Sequence, residues 1–320
     1  MASLRETTYV CSFARCAPGR PEKSVLASIH QRLFDGPPAL RKSYRFLRLL
    51  AQPGPNLARK YAARSVRPPQ NMTMDGTRGF LPPSVHDLSH VDEVVEATRE
   101  VVARSAVPEV RPRVHMWSGY LEVSELAEDS VFLRFALQDR LLAMATAYLG
   151  ITPVLNAVEI WKSWHTPELH HTQRWHCDWD DTTQFKVYVF ASRVGREDGP
   201  TTVLDASRSS LARRRLDYRF GRGRHYMLED EELSRVVDLE GATEFTGAPG
   251  EVAFVDTSRC FHMGGRVVTP HRERILAIFQ YLRPGALTHG LRPEIGWRGW
   301  RKAAPGQAAG LVLDRGLSTR

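Results

Sequence analysis

Gln173-Arg174-Trp175-His176-Cys177-Asp178 sets a histidine and an aspartate two residues apart. In an extended segment residues two apart project from the same face, so His176 and Asp178 point together while Cys177 turns the other way, into packing. One imidazole and one carboxylate make an incomplete metal site. A third donor must come from a distant segment, and Asp256-Thr257-Ser258-Arg259-Cys260-Phe261-His262 offers His262 just beyond an apolar run at 250–256. Two histidines and one carboxylate on one side of iron(II) leave the opposite positions open for a bidentate cosubstrate and dioxygen. An H-x-D triplet standing alone reads more readily as a hydrogen-bonded surface histidine than as a ligand pair. The surroundings decide between the two readings.

Outward from the hexapeptide, β-branched and aromatic runs bounded by Gly, Pro or Asp predict strands at 153–164, 184–192, 201–204, 250–256 and 272–282. Upstream the period is helical. Short helices are expected at 24–34, 39–50 and 56–65, between the breakers Gly36-Pro37-Pro38 and Pro53-Gly54-Pro55. A further helix follows Ser89, a candidate cap with Asp92 in the first turn, and carries Val91, Val94, Val95, Val101 and Val102 on one face. Another, at 138–149, stops at Gly150, a residue suited to the left-handed position past a helix end. Pro-rich breaks are expected at Pro68-Pro69 and Pro82-Pro83. Helices first and strands afterwards indicate an α+β domain whose second half is a sandwich or barrel. The expected organisation is a basic helical extension at 1–75, a catalytic domain at 76–290 with an Arg-rich insertion at about 207–244 over one mouth of the barrel, and a tail at 291–320.

After Asp178 the chain continues Trp179-Asp180-Asp181-Thr182-Thr183-Gln184-Phe185-Lys186-Val187-Tyr188-Val189-Phe190, then Asp198-Gly199-Pro200-Thr201. The order Q-x-x-H-x-D, apolar strand, Gly-Pro turn, distal His, Arg opening the last strand resembles the phytanoyl-CoA dioxygenase superfamily over roughly residues 133–282. The resemblance is to members with Q-x-x-H-x-D-x-x-D and a Lys on the next strand, matched by Gln173, Asp181 and Lys186. It implies a double-stranded β-helix, that is a jelly-roll or cupin-like barrel, with helices packed outside. It also implies Fe(II), 2-oxoglutarate as cosubstrate and O2, with succinate and CO2 released as a C–H bond of the substrate is hydroxylated. Related halogenases carry Gly or Ala in place of the carboxylate ligand, so Asp178 argues for hydroxylation or another oxidation.

The resemblance also assigns roles to the residues around the triad. A distal Arg binds the far carboxylate of 2-oxoglutarate in such enzymes, a task that suits a planar, permanently charged fork. Arg274, directly before the apolar run 275–278, is the expected anchor, with Arg272 the alternative facing the same way two residues earlier. Lys186 either pairs with a cosubstrate carboxylate or neutralises Asp180 or Asp181, and Gln173 offers a hydrogen bond to a carboxylate. His165, His170 and His171 are read as solvent-loop residues.

The bulk composition fits this picture. The 320 residues carry a net charge of +8, with 42% hydrophobic and 25% charged residues, values of an ordinary globular chain. Cysteines at 11, 16, 177 and 260 are too scattered for a disulfide framework, which points to a reducing, cytoplasmic setting. Neither a secretory leader nor a membrane span is expected, because the most apolar stretch, 141–158, is broken by Gly150 and Pro153. From Gly36 to Met74 there is no acidic residue, while Arg41, Lys42, Arg45, Arg48, Arg59, Lys60, Arg64 and Arg67 fall there. That run reads as a solvated helix face rather than a polyanion site, so a nucleic-acid partner is not expected. Arg208, Arg213, Arg214, Arg215, Arg219, Arg222 and Arg224 in the insertion read either as recognition of an anionic group on a small-molecule substrate or as an exposed basic loop. The competing readings are a hydrolase or isomerase using another metal at the same three ligands, and a non-catalytic basic binding module. The composition fixes neither the oligomeric state nor the substrate.

Overall fold

The computed structural model describes residues 53–68, 72–105, 116–120, 130–218 and 226–286, with a few positions between 43 and 50. The helices expected at 24–34 and for the most part at 39–50, the Cys11–Cys16 pair and the tail lie outside the described residues. In chain order the elements are α1 (Pro53–Arg64), β1 (Phe80–Ser84), α2 (Val91–Arg104), β2 (Met116–Tyr120), α3 (Val131–Ala136), α4 (Asp139–Leu149) and β3 (Val154–Trp164). There follow β4 (Gln184–Phe190), β5 (Thr201–Val203), α5 (Ala206–Arg215), α6 (Asp230–Ser234), β6 (Thr243–Phe245), β7 (Val252–Val255), β8 (His262–Met263) and β9 (Glu273–Leu282). The mixture of helices and antiparallel strands expected from the pattern is present, and each of the five strand segments read from the sequence contains a strand.

The strands form two antiparallel sheets, one of order β1-β7-β4-β9-β3-β2 and one of order β6-β5-β8. The large sheet buries both faces. Against its outer face pack α2, α3 and α4, whose Val94, Val101, Phe135 and Leu141 meet Val187, Phe254 and Phe279. Each such side chain withdrawn from water is worth about 2 kcal/mol. Its inner face offers Tyr188, Phe190, Leu276 and Ile278 to Val203 and Phe245 of the small sheet. The outer face of the small-sheet side is covered in turn by the insertion, where Ala212 and Leu233 pack with Trp175, Leu204 and Phe261.

Several local features depart from the sequence reading. Ser89 does not cap α2; the N-cap is His90 at φ 65°, with its Nδ1 2.9 Å from Glu93 Oε1. The Ser89 amide instead donates to Gln138 Oε1 at 2.9 Å, which ties the start of α2 to that of α4. The Pro82-Pro83 break lies inside β1. An edge strand tolerates the missing amides, and β1 stands at the edge of its sheet with an irregular register between Leu81 and Ser84. The insertion contains two short helices, and Asp205 caps α5 by accepting from the Arg208 amide at 2.8 Å. Gly150 takes the expected left-handed conformation at φ 70°. Within the basic run, Lys60, Arg64 and Arg67 are exposed, but Arg59 is buried and donates to the Pro153 carbonyl at 2.9 Å, fastening α1 to the start of β3. Among the described residues no helix is long and apolar enough to cross a membrane.

Candidate metal centre

Two backbone segments bring the predicted donors together. His176 lies on a short extended stretch paired antiparallel with β8, its amide donating to the His262 carbonyl at 3.0 Å and its carbonyl accepting from the His262 amide at 2.9 Å. Directly opposed residues in such a pair share a face, so the two imidazoles meet with ring centroids 4.2 Å apart. The Asp178 amide donates to the Thr257 carbonyl at 2.8 Å, holding the carboxylate on the same side as His176. The ligand atoms of His176, Asp178 and His262 all lie within 4.8 Å of one another, and all three residues are buried.

Orientation at the three side chains is set by hydrogen bonds. His176 Nδ1 is 2.8 Å from the Arg174 carbonyl and His262 Nδ1 is 3.2 Å from the Cys260 carbonyl. A carbonyl only accepts, so each Nδ1 carries the hydrogen and each Nε2 presents a lone pair inward. Asp178 Oδ1 sits 3.8 Å from both Nε2 atoms. Its Oδ2 is held from behind by Lys186 Nζ at 2.6 Å, Thr257 Oγ1 at 2.5 Å and Gln184 Nε2 at 3.3 Å. Burial disfavours protonated His176, and burial together with the neighbouring imidazole pushes His262 down to about 3, so both rings are neutral donors near neutrality. Burial alone would raise the Asp178 carboxyl, but the charge of Lys186, hydrogen-bonded to it, outweighs burial and holds the group ionised. Two neutral nitrogens and one carboxylate oxygen suit a divalent first-row ion. Donors bonded to one ion at about 2.1 Å and at right angles lie about 3 Å apart, so separations of 3.8 Å close by small side-chain rotations.

Arg274 lies on the inner face of β9, paired with Ser163 of β3. Its guanidinium is buried and shares one pocket with His176, His262, Trp161, Tyr188 and Thr201. Nη1 donates to Thr201 Oγ1 at 3.0 Å and Nη2 to Ser163 Oγ at 3.3 Å, while Nε has no partner among the described residues. Burial pulls the group down to about 10. Among the described residues no carboxylate pairs with it.

The other predicted residues fall elsewhere. Arg272 precedes the first residue of β9, so strand alternation does not extend to it. It is half exposed and pairs with Asp198 at 3.0 Å and Glu197 at 3.5 Å, outside the pocket's lining. The Gln173 side chain closes the turn before His176, accepting from the His170 amide at 2.7 Å and donating to the Gly265 carbonyl at 2.8 Å. Lys186 makes its direct ion pair with Asp178, a partner other than those read from the sequence, while Asp181 pairs with Arg283 at 2.8 Å. His165 bonds the Val267 carbonyl, and neither it nor His170 or His171 joins the donor cluster. Cys177 packs in the layer beneath the insertion. Tyr188 and Thr257 were not singled out from the sequence. Tyr188 was readable, being two residues beyond Lys186 on β4, whereas nothing local marks Thr257.

No protein-family model matches the sequence, and no curated protein does. Solved structures match at low identity. The epimerase SnoN in complex with Fe3+, alpha ketoglutarate and nogalamycin RO is 18% identical, with 66% of this chain and 81% of that one covered at a TM-score of 0.46. EctD from S. alaskensis with bound Fe is 19% identical over 65% of this chain and 73% of its own, TM-score 0.45. HygX from Streptomyces hygroscopicus with nickel and 2-oxoglutarate bound is 18% identical over 65% and 83%, TM-score 0.44. At these values the likeness carries no weight for chemistry, which this chain's own side chains must supply.

Proposed function

We propose that this chain is an iron(II)- and 2-oxoglutarate-dependent dioxygenase, a double-stranded β-helix enzyme of the phytanoyl-CoA dioxygenase kind that hydroxylates a small molecule. The observation that carries the proposal is Arg274: a buried guanidinium without a carboxylate partner among the described residues, in the same pocket as His176 and His262. A buried cation in this condition is an anion site, and a metal-assisted hydrolase or isomerase has no need of one there.

In this reading His176, Asp178 and His262 hold the ion, and Arg274 with Thr201 takes the far carboxylate of 2-oxoglutarate. Iron and 2-oxoglutarate, when bound with O2, supply an oxidation that converts 2-oxoglutarate to succinate and CO2 and places one oxygen atom in a substrate C–H bond. The protein's part is orientation and exclusion of water. Nδ1–H bonds to the Arg174 and Cys260 carbonyls fix both imidazoles, and the pocket sits beside the apolar layer of Tyr188, Phe190, Val203 and Ile278 between the sheets.

For the insertion, the described arginines of α5 favour a structural role over the display of charge to a substrate. Arg213 donates to the Ser258 carbonyl, Arg215 to the Val236 carbonyl and Arg214 to Ser210 Oγ. We therefore propose a small-molecule substrate without assigning it a charge.

The test is succinate release from 2-oxoglutarate by the purified protein supplied with iron(II), compared with Arg274→Ala and His176→Ala. Turnover in the wild-type protein that is lost in the histidine variant, and that needs far more 2-oxoglutarate in the arginine variant, supports the proposal. Equal turnover in all three, or none in any, rejects it.

A further inference from the structure

Lys186 is a buried cation set behind the metal centre, and what it does there rests on the metal-binding part of the proposal above rather than on its oxidative chemistry. Asp178 is the one donor of the triad that carries a formal charge. Its Oδ1 faces the two Nε2 atoms at 3.8 Å, while its Oδ2, directed away from them, contacts Lys186 Nζ at 2.6 Å. Both side chains are more than nine-tenths buried. The same Oδ2 also accepts from two neutral groups, Thr257 Oγ1 in the turn after β7 and Gln184 Nε2 at the start of β4. Carboxylate orientation is therefore secured without the lysine. What only the lysine brings is charge.

We infer that Lys186 cancels the charge of Asp178 and so keeps the three donors from binding a divalent cation tightly on their own, coupling metal loading to arrival of the anionic cosubstrate. With neutral imidazoles, the triad and Lys186 together carry no net charge. A divalent ion entering them adds positive charge to a low-dielectric pocket that already holds Arg274 on its far wall. A dicarboxylate bound to the ion and to Arg274 removes most of that excess, so each species favours the other, and the coupling is reciprocal. Asp180 and Glu159 act on Lys186 from other elements packed around it, and its direct contact is with Asp178. Without Lys186 the buried Asp178 charge would lack its counter-ion, and a metal would take over that role. Removing the lysine should therefore tighten metal binding, whereas loss of a purely orienting group would weaken it.

The experiment is calorimetric titration of Mn(II), a redox-stable probe, into the full chain with and without 2-oxoglutarate, for the wild type, Lys186→Met, Lys186→Arg, Thr257→Val and Asp178→Ala. Expected are wild-type binding that tightens with 2-oxoglutarate, Lys186→Met binding Mn(II) alone about tenfold or more tightly with a smaller effect of 2-oxoglutarate, and Lys186→Arg behaving as wild type. Thr257→Val, which alters orientation but not charge, should bind Mn(II) no more tightly than wild type. Should Lys186→Met not fold, Lys186→Gln serves with the same expected sign. A lysine variant that binds Mn(II) no better than wild type overturns the inference and leaves the metal centre standing. Wild-type protein that takes up no Mn(II), or an Asp178→Ala variant that binds it normally, overturns the metal centre and the inference with it.

Discussion

Replacing Arg274 with Met should separate stability from ligand binding, moving them in opposite directions. The guanidinium is buried and, among the described residues, makes hydrogen bonds to two hydroxyls, at 3.0 and 3.3 Å. Burial takes it from its ordinary 12.5 to about 10, which at about 1.4 kcal/mol per tenfold corresponds to about 3 kcal/mol held against the charged form. Met reaches only about as far as Nε and carries no charge, so the variant regains that penalty and loses two hydrogen bonds worth about 1 kcal/mol each. The ligand-free variant should be as stable as the wild type or more stable by about 1 kcal/mol. Its affinity for 2-oxoglutarate should fall by about 2–3 kcal/mol, about a hundredfold, because a charge-assisted pair in a dry site is lost. The assay is urea unfolding with and without saturating 2-oxoglutarate and Mn(II). Wild-type protein should gain about 2–3 kcal/mol more than the variant from 2-oxoglutarate, each compared with its own stability in Mn(II) alone. A variant that is markedly less stable yet still protected by 2-oxoglutarate would refute the reasoning, since Arg274 would then be a structural group and not an anion site.

Asp178→Ala removes the only charged donor of the triad and should abolish succinate formation and weaken Mn(II) binding by at least about a hundredfold, as loss of one ligand of three usually does; retained affinity in a calorimetric titration would remove this residue from the centre. Arg272→Ala, a half-exposed residue paired with Asp198 and Glu197, should change the 2-oxoglutarate requirement by less than about threefold and stability by less than about 1 kcal/mol, and a change as large as that of Arg274→Ala would reverse the choice between them. Gly199→Ala should cost about 2 kcal/mol or more in urea unfolding, because φ is 68° and a Cβ there would meet the backbone nitrogens of Arg266 and Val267 at 2.7 Å; wild-type stability would contradict the turn geometry. In the metal-free protein His262 is depressed from 6.5 to about 3, so folding favours the neutral ring. That contribution is whole above the unfolded value and is lost as the pH falls from there toward the folded value, at about 1.4 kcal/mol per unit, so unfolding at about pH 5 should require less urea than at about pH 7. A flat profile would place the ring in water.

The parts of this molecule legible in the sequence are those where a short-range rule has no competitor. Strict two-residue alternation put His176 and Asp178 on one face, and runs such as 272–282 and 184–192 hold enough β-branched and aromatic residues to announce strands. The parts that were not legible fail for identifiable reasons. β6 and β8 span three and two residues and are too short to show any period. β1 hides behind Pro82-Pro83 because only its place at the edge of the sheet makes prolines tolerable there. The helix α5 reads ASRSSLARRR, with too few apolar positions to draw a stripe, and its start depends on a single Asp205 cap.

The site divides along the same line. Which residues could donate to a metal follows from residue type and spacing, but which charge stands behind the donor does not. The Lys186–Asp178 pair joins β4 to the segment before it only after β4 has been placed between β7 and β9, so the lysine's partner is decided by sheet order and not by its distance along the chain. Arg272 and Arg274 show the converse. Alternation makes them equivalent on paper, yet β9 begins at Glu273, and that single residue of strand length separates a guanidinium in water from one sealed beside two imidazoles. Where β9 starts therefore separates the buried arginine from the one paired at the surface.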